Sequence, residues 1–423
     1  SFPTRRSSDL VTSQQPVDIH GKPYNRSLLV GVLLIGTFCT ILNQTLLTTA
    51  LPTLMKEFDI SASSVQWLTT GFLLVNGIMI PISAWLINKF SSKKLYITAM
   101  STFLIGTIIC FVAQDFGMLL TGRLVQAAGV GVSMPLLQTI MLSIFPPEKR
   151  GAAMGTTGIV IGLAPALGPT LSGWIIDSYT WRDLFGMVIP IVVLVLILAS
   201  FLMKNVIQLS NPSIDVLSVI LSTLGFGSLL YGFSSVGDKG WGSPQVYGFL
   251  IVGAIVLCLF TYRQLHLEQP FLELRVFKSK VFTVAAILSG VTNMAMIGAE
   301  MVLPLYIQNI RGESAFHSGL MLLPGALVMG LMMPVTGRIF DKIGARRLAI
   351  TGMFILTAAT LPFAFLTKAT PIIYIIVLYA IRMFGISMVM MPVTTSGMNA
   401  LPMNLLSHGT AVRSEERRVG KEC

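Results

Sequence analysis

Twelve stretches of this 423-residue chain are long and apolar enough to cross a bilayer, and that recurrence constrains its fold more than any other feature. They lie near 27–50, 65–87, 95–113, 117–145, 152–176, 184–203, 213–236, 246–263, 281–308, 316–340, 346–367 and 371–395. A hydrocarbon core about 30 Å thick needs about 20 apolar residues at 1.5 Å each. Inside it, only helices and closed barrels satisfy their own backbone groups, and these runs lack the alternation of barrel strands. Charged residues make up 11% of the chain, against roughly 25% in soluble domains. The chain therefore reads as an all-α polytopic membrane protein.

Alternate loops differ in charge. One set holds sixteen Lys and Arg, from Lys22 and Arg26 to Arg346 and Arg347, while the other holds five: Lys56, Arg182, Lys239, Arg311 and Lys368. The richer side is expected to be cytoplasmic, with the N-terminus inside a bacterial cell membrane. The net charge of +11 is then a topology signal rather than a nucleic-acid footprint. Cys39, Cys110 and Cys258 sit in apolar runs, and His20, His266, His317 and His408 show no metal spacing. The Gly-rich stretches lack the Lys-Ser/Thr of a phosphate loop. No metal, cofactor or enzymatic constellation is expected, and an ATP-driven pump is disfavoured.

Both ends look foreign. Residues 413–423 read as a translated sequencing adapter, and residues 1–10 as its reverse complement in another frame. Such segments are set aside from fold reasoning. On this reading the natural chain is cut after about Val412.

Gly158–Ile175 is apolar, yet carries Gly158, Gly162, Gly168 and Gly173 with Pro165 and Pro169. In water each interior proline would cost roughly 3 kcal/mol. A membrane helix accommodates them through its neighbours, and its small residues allow close packing.

Sliding the chain by 253 residues superposes Gly77, Pro81, Asn88, Lys89, Lys93 and Lys94 on Gly330, Pro334, Asp341, Lys342, Arg346 and Arg347. Arg123 and Met134-Pro135 echo loosely as Arg382 and Met391-Pro392. Parallel repeats of this kind mark transporters built from two six-helix halves. The offset spans eight helices, so two extra helices lie between the halves. The expected organisation is a cytoplasmic tail over 11–26, a six-helix bundle over 27–203, two central helices and a linker over 204–280, and four of six helices of a second bundle over 281–412.

At these motifs the chain resembles the fourteen-helix drug–proton antiporter branch of the major facilitator superfamily, particularly Gram-positive exporters of lincosamide-type and other lipophilic drugs. Gly337-Arg338-Ile339-Phe340-Asp341-Lys342-Ile343-Gly344-Ala345-Arg346-Arg347 matches the superfamily's loop motif, and Ala84–Lys94 is its eroded twin. Arg123 through Gly131 resembles the fourth-helix motif and Gly158–Gly173 the fifth-helix antiporter motif. Trp181-Arg182-Asp183-Leu184-Phe185 and Leu42-Asn43-Gln44-Thr45 resemble features of the branch, with Asn43 replacing the usual acid. The resemblance implies a monomeric, proton-coupled exporter of lipophilic or cationic drugs that works by alternating access. A same-fold exporter of tetracycline–metal, an amino acid or a siderophore, a membrane scaffold, and an inactive fragment remain alternatives.

Glu300 is the one acid well inside a predicted span, and apolar surroundings would raise its pKa as a proton carrier requires. Arg123 is a costly intramembrane cation, expected to face a partner or cavity and to influence the proton site. Asn43, Gln44, Asn76, Gln138 and Asn293 could line a substrate cavity or bond between helices. The loops carrying Asn88, Lys89, Lys93, Lys94, Gly337, Arg338, Asp341, Gly344, Arg346 and Arg347 are expected to gate access, with Asp341 in a salt-bridged latch. The Gly158–Ile175 helix is expected to seal and bend at the interface between halves.

Overall fold

A computed structural model describes residues 16–19, 21–47, 50–210, 215–267, 270, 272–313, 315–402, 405–406 and 409–410. For several helical residues, among them Pro169, Asp177 and Glu300, only the backbone is described. The adapter-like ends lie outside these residues.

Twelve long helices are present among the described residues: α1 Arg26–Leu46, α2 Ala62–Lys89, α3 Ser92–Phe111, α4 Phe116–Ile144, α5 Arg150–Ser178, α6 Val188–Leu202, α7 Val216–Ser234, α8 Pro244–His266, α9 Lys280–Leu305, α10 Ala315–Ile343, α11 Ala345–Thr360 and α12 Ile372–Asn399. Several start where a side chain caps a free N–H. Asn25 accepts from Leu28 N–H at 3.1 Å, Asp115 from Met118 N–H at 2.8 Å, and Ser279 from Phe282 N–H at 3.3 Å.

Two expected spans are shorter than the apolar runs that suggested them. The 27–50 run ends as a helix at Leu46, and a second helix, Leu51–Phe58, restarts with Pro52 in its first turn. The 346–367 run passes from α11 into a 3₁₀ turn, Leu361–Phe365, again with a proline at its start. Proline has no N–H to continue the preceding helix but starts a new one readily.

Packing forms two helix groups. In the first, α1 packs against α5 and α6, α4 against α2 and α3, and α3 against α6; in the second, α12 packs against α9, α10 and α11. The groups join mainly where α5 lies along α10. α4 is the most enclosed span and α8 the least. α7 and α8 pair with each other and reach the rest through α2. Arg263 donates to both oxygens of Asp215 at 3.0 Å across that hairpin. Phe201, Phe354 and Phe365 point outward, which hydrocarbon allows.

The repeat recurs in helix packing. A Cβ on Gly129 of α4 would stand 2.5 Å from the Ala99 carbonyl of α3, and one on Gly385 of α12 would stand 2.9 Å from the Gly352 carbonyl of α11. Both pairs need bare backbone at the crossing. α10 ends at Gly344, whose φ of +78° favours glycine, and α11 begins at the next residue.

Candidate functional site

α5 carries its small residues on two faces. Gly151, Gly155, Gly158 and Gly162 meet α10. A Cβ on Gly155 would lie 2.6 Å from the Met333 carbonyl, and one on Gly162 would lie 2.9 Å from Met329 Cε. From the other side, a Cβ on Gly330 would lie 2.8 Å from Leu163 Cγ, and Gly337 abuts the Gly151 carbonyl. Farther along α5, Gly168 faces Thr45 of α1, and Ser172 donates to the Leu46 carbonyl at 2.6 Å. Gly173 faces open space, Pro165 is half-buried, and the Pro169 side chain lies outside the described residues. The glycines thus let α5 contact two neighbours at backbone distance.

At the lysine- and arginine-rich end, Asp341 closes this seam. Its two carboxylate oxygens accept from the N–H groups of Gly151 and Ala152, each at 3.0 Å. Those N–H groups belong to the first turn of α5, which has no intrahelical acceptors for them and favours negative charge. The expected salt-bridged latch is therefore a helix capture: no described ion pair joins Asp341 to Arg346 or Arg347, which are exposed. Arg338 and Lys342 are exposed as well. Two further bonds cross nearby. Arg150 donates to Asn399 Oδ1 at 2.9 Å, and the Thr139 and Thr410 hydroxyls meet at 2.9 Å. The eroded loop twin points elsewhere: the Lys93 N–H donates to Asn205 at 3.3 Å, and the Asn88 carbonyl accepts from Ser210 at 3.0 Å. Lys89 stands in the last turn of α2 and Lys94 is exposed.

Arg123 lies two turns into α4 with only 1% of its surface exposed. Its Nη1 donates to Asn43 Oδ1 and Gln126 Oε1, both at 2.9 Å, and its Nε to the Leu68 carbonyl at 3.4 Å. Gln126 passes the network to Thr107 at 2.8 Å, and the Phe72 ring centroid is 4.3 Å from the guanidinium carbon. The structure thus brings Asn43 to Arg123. The repeat supplies a counterpart: Arg382 Nε donates to Thr360 Oγ1 at 3.2 Å, and its Nη2 to the Ala295 carbonyl. Thr107 and Thr360 are related by the 253-residue offset. Gly385, three residues after Arg382 as Gln126 is after Arg123, leaves Arg382 to reach Thr360 directly.

The other polar candidates do not converge. Gln44 and Asn76 are half-buried and Gln138 is buried; Asn293 donates to the Ser289 carbonyl at 2.9 Å, while its Oδ1 has no hydrogen-bond partner among the described residues. Neither these four nor Asn43 lines the cavity between α1, α4, α5 and α10. The Glu300 side chain lies outside the described residues.

Sequence reasoning missed Glu57. It accepts from Trp181 Nε1 at 2.6 Å and from Arg182 Nη1 at 3.0 Å, and Arg182 also donates to the Ala113 carbonyl at 2.9 Å. This ties helix Leu51–Phe58 to the turn before α6, at the end opposite Asp341. The available signal was the adjacent Trp181 and Arg182, whose indole and guanidinium donors call for an acceptor.

The sequence profile of the Major Facilitator Superfamily matches residues 33–414. The uncharacterised MFS-type transporter YcnB of Bacillus subtilis is 56% identical over 402 residues, 95% of this chain and 85% of that protein. The lincomycin resistance protein LmrB of Listeria monocytogenes is 44% identical over 391 residues, 92% of this chain and 83% of that protein. The multidrug export protein EmrB of Haemophilus influenzae is 28% identical over 389 residues, 91% and 76% of the two chains. Among solved structures, the human organic anion transporter MFSD10 aligns with a TM-score of 0.66 at 12% identity, covering 94% of this chain and 91% of that one. The proton:xylose symporter XylE aligns with a TM-score of 0.65 at 15% identity, covering 93% and 86%. At these identities the two structures show the fold alone.

Proposed function

Because this chain belongs to the major facilitator superfamily, we propose that it is a proton-coupled antiporter that exports lipophilic, often cationic drugs from the cytoplasm by alternating access. The α5–α10 seam carries this reading. Two helix groups meet on bare backbone and are tied at one end by a few hydrogen bonds, a contact that can open without unfolding either group. Two relatives, a lincomycin resistance protein and a multidrug export protein, support the drug class.

In this scheme the lysine- and arginine-rich end faces the cytoplasm of a bacterial cell, and the protein works as a monomer. The 27–203 and 281–412 segments form the moving bundles, with the two helices of 204–280 between them in a fourteen-helix plan. Arg123 organises the polar centre of the first bundle, and Glu300 carries the proton. Gln44, Asn76, Gln138 and Asn293 contribute to the substrate path when the bundles part.

Accumulation of lincomycin and of lipophilic cations in cells producing the chain tests the proposal. Reduced accumulation that returns to control on collapsing the proton gradient supports it, and efflux that survives the collapse removes proton coupling. Full gradient-driven export by Glu300→Gln would remove Glu300 as the carrier.

A further inference from the structure

A cavity of about 1070 Å³ lies at the lysine- and arginine-rich end, between the chain leading into α1, α1 itself, the ends of α4 and α5, and α10. Its rim carries three cations from three segments: Arg26 opens α1, Lys149 precedes α5, and Arg338 stands near the end of α10. Among the described residues no carboxylate lines it. Of the acids on these elements, Asp341 has both oxygens engaged by α5 N–H groups, Asp18 in the chain leading into α1 accepts from the Lys22 N–H at 2.9 Å, and Glu148 is exposed beside Lys149. Arg26 lies 5.1 Å from the Phe145 ring centroid, and its buried Nε has no hydrogen-bond partner among the described residues.

Below the rim the lining turns apolar. Val30 and Leu34 of α1, Ala153 of α5 and Pro334 of α10 form the deeper wall. From Arg26 to Leu34 the helix rises about 12 Å. A cationic rim above an apolar wall suits an anionic head joined to a hydrocarbon tail. A small free anion would match the rim and leave the wall bare, and a cationic drug would meet charge of its own sign.

We propose that this cavity holds the headgroup and upper acyl segment of an anionic phospholipid from the adjacent leaflet. The lipid then touches both helix groups at once, since Arg338 and Pro334 belong to α10 and the remaining wall to α1, the chain leading into it, and the ends of α4 and α5. Its binding favours the arrangement in which α5 and α10 are closed on each other, because only that arrangement completes the cavity.

The full chain, purified into detergent and titrated with phosphatidylglycerol or phosphatidylcholine, reports retention by native mass spectrometry and stabilisation by melting temperature. Phosphatidylglycerol is expected to be retained preferentially. Arg26→Gln, Lys149→Gln and Arg338→Gln should each weaken it about fivefold, while Lys149→Arg and Arg338→Lys should keep it. Lys149 is exposed, so Lys149→Gln gives a reading even where Arg26→Gln fails to fold. Equal retention of the two lipids, or unchanged retention in Lys149→Gln and Arg338→Gln, overturns the proposal. Displacement of phosphatidylglycerol by millimolar inorganic phosphate also overturns it, by marking a small-anion site.

Discussion

The carboxylate of Asp341, in the last turn of α10, accepts a hydrogen bond at 3.0 Å from the backbone N–H of Gly151, in the first turn of α5. One side chain thus caps a helix of the other group, and a second bond to Ala152 fixes its plane. Asp341→Asn removes the charge and one acceptor, costing about 1–2 kcal/mol, or roughly tenfold in the closed-to-open ratio. Spin labels at the exposed Glu148 and Lys342 should report one short separation in the parent chain, with a longer population added in the variant. Identical distance distributions would mean that Asp341 does not hold the seam.

Glycines of α5 differ sharply in what an added methyl would meet. At Gly155 it would press on the Met333 carbonyl at 2.6 Å; at Gly173 it would enter open space. Gly155→Ala should therefore cost about 1–3 kcal/mol through overpacking and reduce transport, while Gly173→Ala should change neither. Melting temperature and drug accumulation measured on the pair check this, and equal behaviour would refute the two-faced reading of α5.

The Arg123 network contains no carboxylate among its described hydrogen bonds, and Asn43 supplies the acceptor where an acid is usual in the branch that the motif resembles. Arg123→Ala leaves Asn43 and Gln126 buried without their donor, at about 1–3 kcal/mol each, and should lower both stability and export. Asn43→Asp places a carboxylate 2.9 Å from the guanidinium in the parent geometry. It should retain stability and add an acid-side inflection to the pH profile of export. A profile identical to that of the parent would show that position 43 is uncoupled from transport.

Burial pulls the Asp215 carboxyl upward, but hydrogen bonds from Arg263 and Ser218 outweigh it and hold the group below the ordinary aspartate value of 3.8. A depressed folded-state value stabilises the fold above the unfolded value and loses that contribution as the pH falls through the folded one. The α7–α8 hairpin should therefore loosen only below about pH 4. Asp215→Asn should lower stability at neutral pH and flatten the acid limb. Hydrogen exchange of α7 and α8 across pH 3–7 measures both.

Much of the helix plan could be read from composition because hydrocarbon leaves a chain few options. The misjudged ends, at Leu46 and Thr360, lie where apolar residues continue past a break initiated around Pro52 and Pro362, so hydropathy alone carried no signal. Small residues on Gly158–Ile175 announced close packing without naming a partner. Glu57 escaped for a similar reason: it lies 124 residues from Trp181, and nothing in the Trp181-Arg182 motif names its acceptor.

The sequence by itself determined a bundle of long apolar helices, a repeat that relates α2 to α10, and a charge-rich loop with an acid at Asp341, since each is a matter of residue type and spacing. Only the tertiary structure decided that Asp341 caps α5 from 190 residues away, that Asn43 and Arg123 meet across 80 residues, and that α5 turns one glycine face to α10 and another to α1. A hydrogen bond acts over about 3 Å. Which groups come that close is set by how the helices pack, and one-dimensional spacing does not encode that.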